Sequence, residues 1–273
     1  MMNKKIAILG GGNIGISIAN GLLKSGRITP SNLYITRRRN HLLKELKEQG
    51  IHTGSDNLLA VQQAEIIFIA VKPAQTLGLI KEISDKLDPD KNIIISVVTG
   101  VNSSDIRDIT GEKMPVFLAM PNTAISLCES MTCISSRNNP ADKENLVIEI
   151  FESLGKSIII NEELMGSATV LAACGIAFAL RFMRAASQGG IEIGFGSELS
   201  TLIAAQTLKG ASELILSSGH HPEREIDKVT TPQGITISGL NEMEHNGFSS
   251  ALIKGLLTSY TKITKVKLPP EEK

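Results

Sequence analysis

Short apolar runs alternate with amphipathic stretches along the N-terminal part of the chain. The apolar runs predict strands, the last two more weakly, at residues 5–9, 33–35, 66–71, 93–97, 116–119, 131–135 and 157–160. The amphipathic stretches have the period of helices and lie at residues 14–24, 40–49, 56–63, 74–87, 103–109 and 142–153. Strand–helix alternation of this kind predicts an α/β fold with a parallel, doubly wound sheet.

The pattern changes after Asn161, where long stretches rich in Ala, Leu and Met replace the short apolar runs. They predict helices at residues 164–187, 198–217, 233–245 and 249–265, and no strand. We therefore expect two domains, residues 1–161 with the sheet and residues 162–273 entirely helical. The first two of these helices are apolar around much of their circumference, so we expect helix exchange between two subunits of a homodimer.

Composition narrows the classes of partner. Lys and Arg together number 28, as do Asp and Glu, and this balance argues against nucleic acid or an anionic membrane as the main partner. No uninterrupted apolar run reaches about 18 residues, so we expect no membrane span. Three cysteines at irregular spacing favour buried thiols in a cytoplasmic protein over disulfides or a zinc site.

The sequence G-G-G-N-I-G follows the first predicted strand and opens the first predicted helix. Gly10, Gly12 and Gly15 fit the G-x-G-x-x-G pattern, which permits a tight turn and close approach of a pyrophosphate. Asn13 and Ile14 lie in the first turn of that helix. The motif in this context predicts a dinucleotide-binding domain of the Rossmann type.

The residues after the second strand indicate which dinucleotide is bound. Thr36, Arg37 and Arg38 stand there, followed by Arg39, where NAD-binding proteins place an acid for the ribose diol. Guanidinium groups suit a phosphate dianion, so NADPH is favoured, with NADH as the alternative. At least one of the three arginines is expected to be solvated. Asn57, at the start of the third helix, would add a polar contact to the adenosine end.

Two further segments follow buried strands and should reach the carboxyl edge of the sheet, where ligands of such folds lie. The first is A-V-K-P and the second is M-P-N-T. A proline at the start of a helix or after a strand makes each also compatible with an ordinary turn. As cofactor-contacting residues we expect Ala70, Val71, Lys72, Pro73, Met120 and Asn122.

A second candidate site lies far along the chain, in D-K-V-T-T-P-Q-G-I-T-I-S-G-L-N-E-M-E-H-N-G-F. Thr231 suits a helix N-cap and Pro232 the first helical position. With Gly234 at the third position, no capping box forms and the backbone N–H groups stay open to an anion. We expect a substrate carboxylate there, held by Thr231, Gln233, Gly234, Ile235 and Thr236.

The chemistry expected of the substrate follows from what the chain lacks. The five histidines have no convincing metal spacing, no metal is expected, and no acid catalyst stands out. Reduction of a ketone develops alkoxide charge that needs a proton donor, whereas a protonated imine already carries its proton. Reduction of an imine is therefore favoured, with Thr236 orienting the nitrogen.

The chain resembles the pyrroline-5-carboxylate reductase family over nearly its whole length. The resemblance rests on G-G-G-N-I-G, A-V-K-P-A-Q, S-V-V-T-G, M-P-N-T and D-K-V-T-T-P-Q-G-I-T. It implies NADPH- or NADH-dependent reduction of 1-pyrroline-5-carboxylate to L-proline, the last step of proline biosynthesis. It also implies that Thr231 and the following backbone bind the substrate carboxylate, and that Thr236, the catalytic residue, hydrogen-bonds the ring nitrogen. The family's active site lies at a dimer interface of intertwined C-terminal helices, and its dimers often assemble into decamers.

Three departures from the family pattern concern the substrate end. The family commonly has P-G-G where this chain has Gln233 in the middle, and its S-G-S-G-P-A-Y run is A-A-C-G-I-A-F here. Leu118 stands where many members have Arg. Two alternatives stay open: another imine or ketone reductase of similar build, and a non-catalytic NADP-binding regulatory protein.

Overall fold

The computed structural model describes residues 4–264, which contain an eight-stranded sheet in the order β3-β2-β1-β4-β5-β6-β7-β8. All neighbouring strands are parallel except β6 and β7. The strands are β1 (Ile6–Leu9), β2 (Leu33–Thr36), β3 (His52–Gly54), β4 (Ile66–Ile69), β5 (Ile93–Ser96), β6 (Val116–Met120), β7 (Ser130–Ser135) and β8 (Gly155–Ile159). The doubly wound sheet is therefore confirmed, with its topological switch between β1 and β4.

The central strands are apolar throughout because helices cover both faces of the sheet. Ile6 and Ile8 of β1 pack into one core and Ala7 and Leu9 into the other, and none of the four is exposed to solvent. Such continuous apolar strands are typical of parallel sheets buried on both sides. The helices of this region are α1 (Asn13–Lys24), α2 (Lys44–Glu48), α3 (Asn57–Gln63), α4 (Pro73–Ile83), α5 (Ser103–Thr110) and α6 (Ala141–Glu152).

The remainder of the described chain is helical, as the sequence predicts. Its elements are α7 (Met165–Ala168), α8 (Gly175–Glu192), α9 (Ser197–Ser218), α10 (Pro222–Val229), α11 (Ile235–His245) and α12 (Phe248–Thr264). A π-helical segment, Thr169–Cys174, joins α7 to α8. The end of the predicted last helix, Lys265, lies outside the described residues.

The sequence predictions miss two elements and misjudge one. The three-residue strand β3 lies at the sheet edge, where polar His52 and Thr53 hide the strand pattern. Helix α10 lies between the helices predicted over 198–217 and 233–245, where the sequence predicts none, and Pro222 occupies the first position of its eight residues. The helix predicted over 40–49 is a 3₁₀ turn, Asn40–Leu43, followed by the short α2.

The described residues divide into two compact units, residues 4–174 together with 259–264, and residues 175–258. We call the first the nucleotide unit and the second the helical unit. The predicted division at residues 161 and 162 remains a prediction.

The helical unit buries almost nothing within its own chain. Of its residues only Ser187 and Ser200 are buried, and they meet where α8 and α9 pack closely. The Ser200 hydroxyl donates to the Ser187 carbonyl at 2.7 Å, and a Cβ on Gly190 would lie 2.0 Å from Ser200 Oγ. Its large apolar side chains are exposed, including Leu180, Ile193, Leu199, Leu202, Leu214, Leu216, Ile235 and Leu257.

One helical stretch of the described chain, Glu162–Glu192, is long and apolar enough to cross a membrane by length and composition alone. The core helices of soluble proteins also pass that test. The uninterrupted apolar runs of the sequence do not reveal it, because Ser, Gly and Arg residues break them.

Candidate functional site

A groove of about 830 Å³ opens at the carboxyl ends of β1, β2 and β4, beside the topological switch. The sequence predictions include nine of the residues that line it: Gly10, Gly12, Thr36, Arg37, Arg38, Asn57, Ala70, Val71 and Lys72. Ligands of doubly wound sheets bind in this position. The structure therefore brings the glycine loop, the arginine segment and the end of β4 to one cavity.

The three motif glycines are required for different steric reasons. Gly10 has φ +117°, and a Cβ there would lie 2.4 Å from the Ala70 carbonyl oxygen. A Cβ on Gly15 would lie 2.1 Å from the Gly10 carbonyl oxygen, so this glycine lets α1 pack onto the loop. A Cβ on Gly12 would meet nothing within 4 Å. The space left open at Gly12 is the space that a pyrophosphate needs to approach the backbone.

The start of α1 offers an anion site of this kind. The Gly10 and Gly11 N–H groups donate to the Thr36 carbonyl, at 3.1 and 2.7 Å, which fixes the loop against β2. Gly12 is the N-cap and supplies no side chain, so the N–H groups of Asn13 and Ile14 in the first turn have no side-chain acceptor. Open N–H groups at the positive end of a helix bind phosphate groups. The geometry fits a dinucleotide pyrophosphate.

The end of the groove next to β2 contains a chain of hydrogen bonds. The Thr36 hydroxyl donates to Asn57 Oδ1 at 2.6 Å, and Asn57 Nδ2 donates to Glu82 Oε1 at 3.1 Å. Thr36 is buried, Asn57 is half-buried and Glu82 is exposed at the edge of the groove. Asn57 is therefore held between the strand end and helix α4.

Cationic side chains line the same cavity. Arg37 is half-buried, while Arg38 and Arg39 are exposed, and all three line the groove. Lys72 precedes α4, and Pro73 occupies the first position of that helix, as the sequence predicts. The groove thus combines guanidinium groups near β2 with an ammonium group at the end of β4, an arrangement that suits a dinucleotide with several phosphates.

The groove also has lining residues that the sequence analysis did not single out: Gly11, Ser55, Gln75, Leu79 and Glu82. Three of these, Gln75, Leu79 and Glu82, lie on α4 at spacings of four and three residues. Residues at such spacings share one face of a helix. This spacing after the Lys72-Pro73 helix start is the signal that could have identified them.

Met120 and Asn122 do not line the groove. Met120 is buried, and Asn122 is buried with both side-chain atoms engaged. Asn122 Oδ1 accepts from the Ala124 N–H at 3.0 Å, and Nδ2 donates to the Ala172 carbonyl at 3.2 Å. That carbonyl lies in the π-helical segment, where the i→i+4 bonding of an α-helix is interrupted. The Asn122 side chain therefore ties the end of β6 to this segment.

The predicted helix start at Thr231 and Pro232 is wrong. The Gly234 N–H donates to the Thr231 carbonyl at 2.9 Å, so residues 231–234 form a tight turn, and α11 begins at Ile235 with Gly234 as N-cap. Pro232 stands at the second position of this turn, which it also favours. Gln233, at the third position, has φ +61°, a conformation that glycine normally supplies.

The N-terminus of α11 is open, although it begins later than predicted. Gly234 offers no capping side chain, and a Cβ there would lie 2.5 Å from Thr231 Oγ1. The Thr231 side chain therefore lies directly against the residue before the helix. Thr231 and Thr236 are exposed, and Ile235 is 93% exposed. The residues predicted to hold an anion thus share one exposed helix end.

The pronounced electrostatic effects in the nucleotide unit lie away from the groove. Arg107, only 4% exposed, donates to the carbonyls of Met114 and Arg137 and to Asn139 Oδ1, at 3.3, 2.7 and 3.0 Å. Burial lowers the pKa of the Arg107 guanidinium, and the carboxylates of Glu112 and Glu162 oppose that shift. Burial likewise raises the pKa of the Cys133 thiol, which suits an inert core cysteine. Arg107 and Cys133 are therefore structural residues of the core.

Two family models match the chain. The model described as pyrroline-5-carboxylate reductase dimerisation matches residues 162–266, and the one described as NADP oxidoreductase, coenzyme F420-dependent, matches residues 5–100. A protein of Dictyostelium discoideum named pyrroline-5-carboxylate reductase 2 is 46% identical over 96% of this chain and 93% of its own length. The chain belongs to the pyrroline-5-carboxylate reductase family.

Two further similarities agree with membership of the pyrroline-5-carboxylate reductase family. A second Dictyostelium discoideum protein, named pyrroline-5-carboxylate reductase 1, is 47% identical over 94% of this chain, which spans about half of that protein's length (49%). The crystal structure of Plasmodium falciparum pyrroline carboxylate reductase with NADP bound matches with a TM-score of 0.87 and 26% identity. That match covers 96% of this chain and 98% of the other.

The dimerisation model gives the exposed apolar side chains of the helical unit an explanation. Residues 162–266 contain the whole helical unit and also the stretch Glu162–Glu192. A dimerisation domain is expected to expose apolar surface in a single chain, because its partner covers that surface. The family assignment thus supports a homo-oligomer.

Proposed function

We propose that this protein reduces 1-pyrroline-5-carboxylate to L-proline, using NADPH or NADH as the hydride donor. The observation that carries the proposal is the 46% identity to a named pyrroline-5-carboxylate reductase across 93% of that protein. The groove beside the topological switch supports it, because its glycines, arginines and open helix end suit a dinucleotide.

The residues of the groove hold and orient the cofactor. The nicotinamide supplies a hydride to an electrophilic carbon. The first turn of α1 holds the pyrophosphate, and Thr36, Arg37, Arg38 and Asn57 hold the adenosine end. Ala70, Val71, Lys72 and Pro73 border the remaining length, where Met120 and Asn122 support the sheet edge. Arginine near the ribose favours NADPH over NADH.

The turn and the start of α11 hold the substrate in this proposal. The carboxylate of the pyrroline accepts from the open N–H groups that follow Gly234 and from the Thr231 hydroxyl. Each such contact contributes roughly 0.3–1 kcal/mol when exposed and more when partly buried, so its main role is alignment. Gln233 and Ile235 flank this carboxylate site.

Thr236 takes the role of the catalytic residue by hydrogen-bonding the ring nitrogen. A protonated imine accepts a hydride at carbon and becomes a neutral amine, so the chain need not supply a strong acid. Two histidines before α11 have partners of their own: His221 Nδ1 accepts from the Glu223 N–H at 3.3 Å, and His220 Nδ1 lies 2.8 Å from Glu225 Oε1. Glu225 is also bonded to Lys228, which lowers its pKa ahead of the His220 contribution. The contacts of Glu225 with His220 and Lys228 tie the start of α10 to its last turn.

The decisive experiment incubates the purified protein with NADPH and 1-pyrroline-5-carboxylate and measures NADPH loss together with proline formed. We expect equal amounts of NADPH oxidised and proline produced. The matched control substrate is 1-pyrroline, which has the imine but no carboxylate, and we expect a KM at least about tenfold higher for it. Absence of turnover with both NADPH and NADH would remove the proposal and leave the two alternatives, a different reductase or a non-catalytic NADP-binding protein.

We also propose a homodimer formed through the C-terminal helices, assembled further into a decamer, in the cytoplasm. The dimerisation model over residues 162–266 supports the dimer. The three cysteines are free, which suits a reducing compartment. Light scattering on the purified protein distinguishes the dimer from the decamer.

A further inference from the structure

The groove contains a carboxylate that the proposed roles leave unused. Glu82 lines the cavity together with Thr36, Arg37, Arg38 and Asn57. One carboxylate oxygen, Oε1, accepts from Asn57 Nδ2 at 3.1 Å, and Asn57 Oδ1 in turn accepts from the Thr36 hydroxyl at 2.6 Å. An acidic side chain at this place is unexpected in a groove whose arginines suit a phosphate dianion.

Glu82 fixes the direction of this chain of hydrogen bonds. A carboxylate only accepts, so the Asn57 amide must turn its nitrogen toward Glu82 and its oxygen toward Thr36. The amide oxygen then takes the hydroxyl hydrogen of Thr36. Toward any further partner, Thr36 Oγ1 has only lone pairs to offer.

The direction matters for the group carried at the 2′ position of the adenosine ribose. In NADH this group is a hydroxyl, which donates to an acceptor such as Thr36 Oγ1. In NADPH it is a phosphate dianion, which has no hydrogen to donate and is repelled by the Glu82 carboxylate. Glu82 thus opposes the preference that Arg37 and Arg38 confer.

We propose that Glu82 is a specificity-determining residue for the cofactor. It keeps the Thr36 hydroxyl a hydrogen-bond acceptor toward the ribose, and so allows NADH as well as NADPH to bind in the groove. It acts through Asn57 and Thr36 and is a positioning residue. The inference rests on the proposed use of a nicotinamide dinucleotide in this groove. The inference predicts that the protein uses both nucleotides, because the arginines favour a 2′-phosphate on the ribose and Glu82 favours a 2′-hydroxyl.

The test measures binding by isothermal titration calorimetry with NADPH and with NADH, without substrate. In Glu82→Gln the side-chain amide can donate to a flipped Asn57, which then donates to Thr36 and frees the hydroxyl hydrogen for a phosphate oxygen. We expect the ratio of the NADH Kd to the NADPH Kd to rise about tenfold, since a hydrogen bond to a charged group is gained. Asp85→Asn is the charge control, because Asp85 is exposed near the end of the same helix and does not line the groove. Its ratio should stay at the wild-type value.

A second variant separates the hydrogen-bond direction from simple loss of charge. Thr36→Val removes the hydroxyl, so the double variant Thr36→Val with Glu82→Gln should lose most of the gain in NADPH preference. Two results would each overturn the inference: an unchanged ratio in Glu82→Gln, which includes an equal loss of affinity for both nucleotides, or a full gain retained in the double variant. Because the measurement needs no turnover, a wild-type protein that binds both nucleotides but does not reduce 1-pyrroline-5-carboxylate contradicts the proposed function alone.

Discussion

The nucleotide unit and the helical unit bury their apolar side chains in opposite ways. In the nucleotide unit, strands such as Ile6–Leu9 and Ile66–Ile69 are fully buried by helices of the same chain. In the helical unit, the buried residues are two serines, while leucines and isoleucines on every long helix face outward. One unit is stabilised by its own core and the other by association, because exposed apolar surface of that extent is stable only when a partner covers it.

The largest expected effect comes from a charge placed on the exposed apolar surface of the helical unit. Leu202, on α9, is 64% exposed in the single chain. An aspartate there would become an unpaired buried charge in a dimer, so Leu202→Asp should weaken subunit association at least about a hundredfold. Light scattering should show monomers, and proline formation should be lost because the unit carrying Thr236 has no partner.

The matched control for that variant is Leu127→Asp in the nucleotide unit. Leu127 is 59% exposed, close to the value for Leu202. It lies outside the segment matched by the dimerisation model, so the control should keep the wild-type mass and activity. A wild-type mass for Leu202→Asp would show that the contrast between the two units is misread.

The second prediction concerns the nucleotide unit, where a buried charged side chain is removed instead of introduced. Arg107→Met should lower the free energy of unfolding by about 3 kcal/mol, because the carbonyls of Met114 and Arg137 lose their buried donor. Urea denaturation measures this loss, and the oligomeric mass should not change. Arg27→Met is the control, since Arg27 is exposed and should shift stability by no more than about 0.5 kcal/mol. Equal stability of the two variants would contradict the role of Arg107 in this core.

The two units also differ in how far the sequence predicts them. Apolar runs flanked by turns identify the buried strands of the nucleotide unit, because a strand that is apolar on both faces must be covered on both sides of the sheet. The sequence does not predict strand β3, because His52 and Thr53 lie at the edge of the sheet, where polar side chains remain in contact with solvent. In the helical unit the sequence predicts the long helices well, but α10 has only eight residues, most of them polar, so it resembles a polar loop between two helices.

Sequence motifs predict the cofactor groove, but they do not predict the individual hydrogen bonds within it. Gly10 and Gly15 are recognisable because each allows a close backbone approach, and Gly12 because it leaves space for a pyrophosphate. The helical spacing on α4 could place Glu82 in the groove, but its hydrogen bond to Asn57 depends on the packing of α3 and α4, which the sequence does not show. The sequence predicts the start of α11 too early, at Thr231, because Pro232 suits a turn as well as a first helical position.

A smaller effect is expected at the proposed catalytic residue of the helical unit. Thr236→Ala should lower kcat at least about tenfold, equivalent to about 1.4 kcal/mol, because the ring nitrogen loses its hydrogen bond. NADPH affinity should be unchanged, since the groove lies in the other unit. Ser238→Ala, two residues along the same helix, is the control, because its hydroxyl is bonded to the Gly234 carbonyl at 3.4 Å. Equal kcat values for the two variants would remove the role assigned to Thr236.

The smallest expected effect is a change in stability when backbone strain is relieved at one residue in each unit. Gln233 in the helical unit has φ +61° and Asn138 in the nucleotide unit has φ +56°. A residue with a Cβ pays roughly 1–2 kcal/mol in this conformation, while glycine loses about 0.4–1 kcal/mol through the greater freedom of its unfolded chain. Gln233→Gly should therefore stabilise the protein by roughly 0–1.6 kcal/mol, measured by urea denaturation.

Asn138→Gly is the matched control for the Gln233 variant. Asparagine tolerates the left-handed region because its short side chain bonds locally, so its replacement should bring no gain. The difference between the two variants isolates the cost of placing glutamine where the family commonly has glycine. If both variants gained equally, the conformation alone would set the cost; if only Gln233→Gly gained, this chain keeps a strained residue beside the proposed carboxylate site, at the expense of stability.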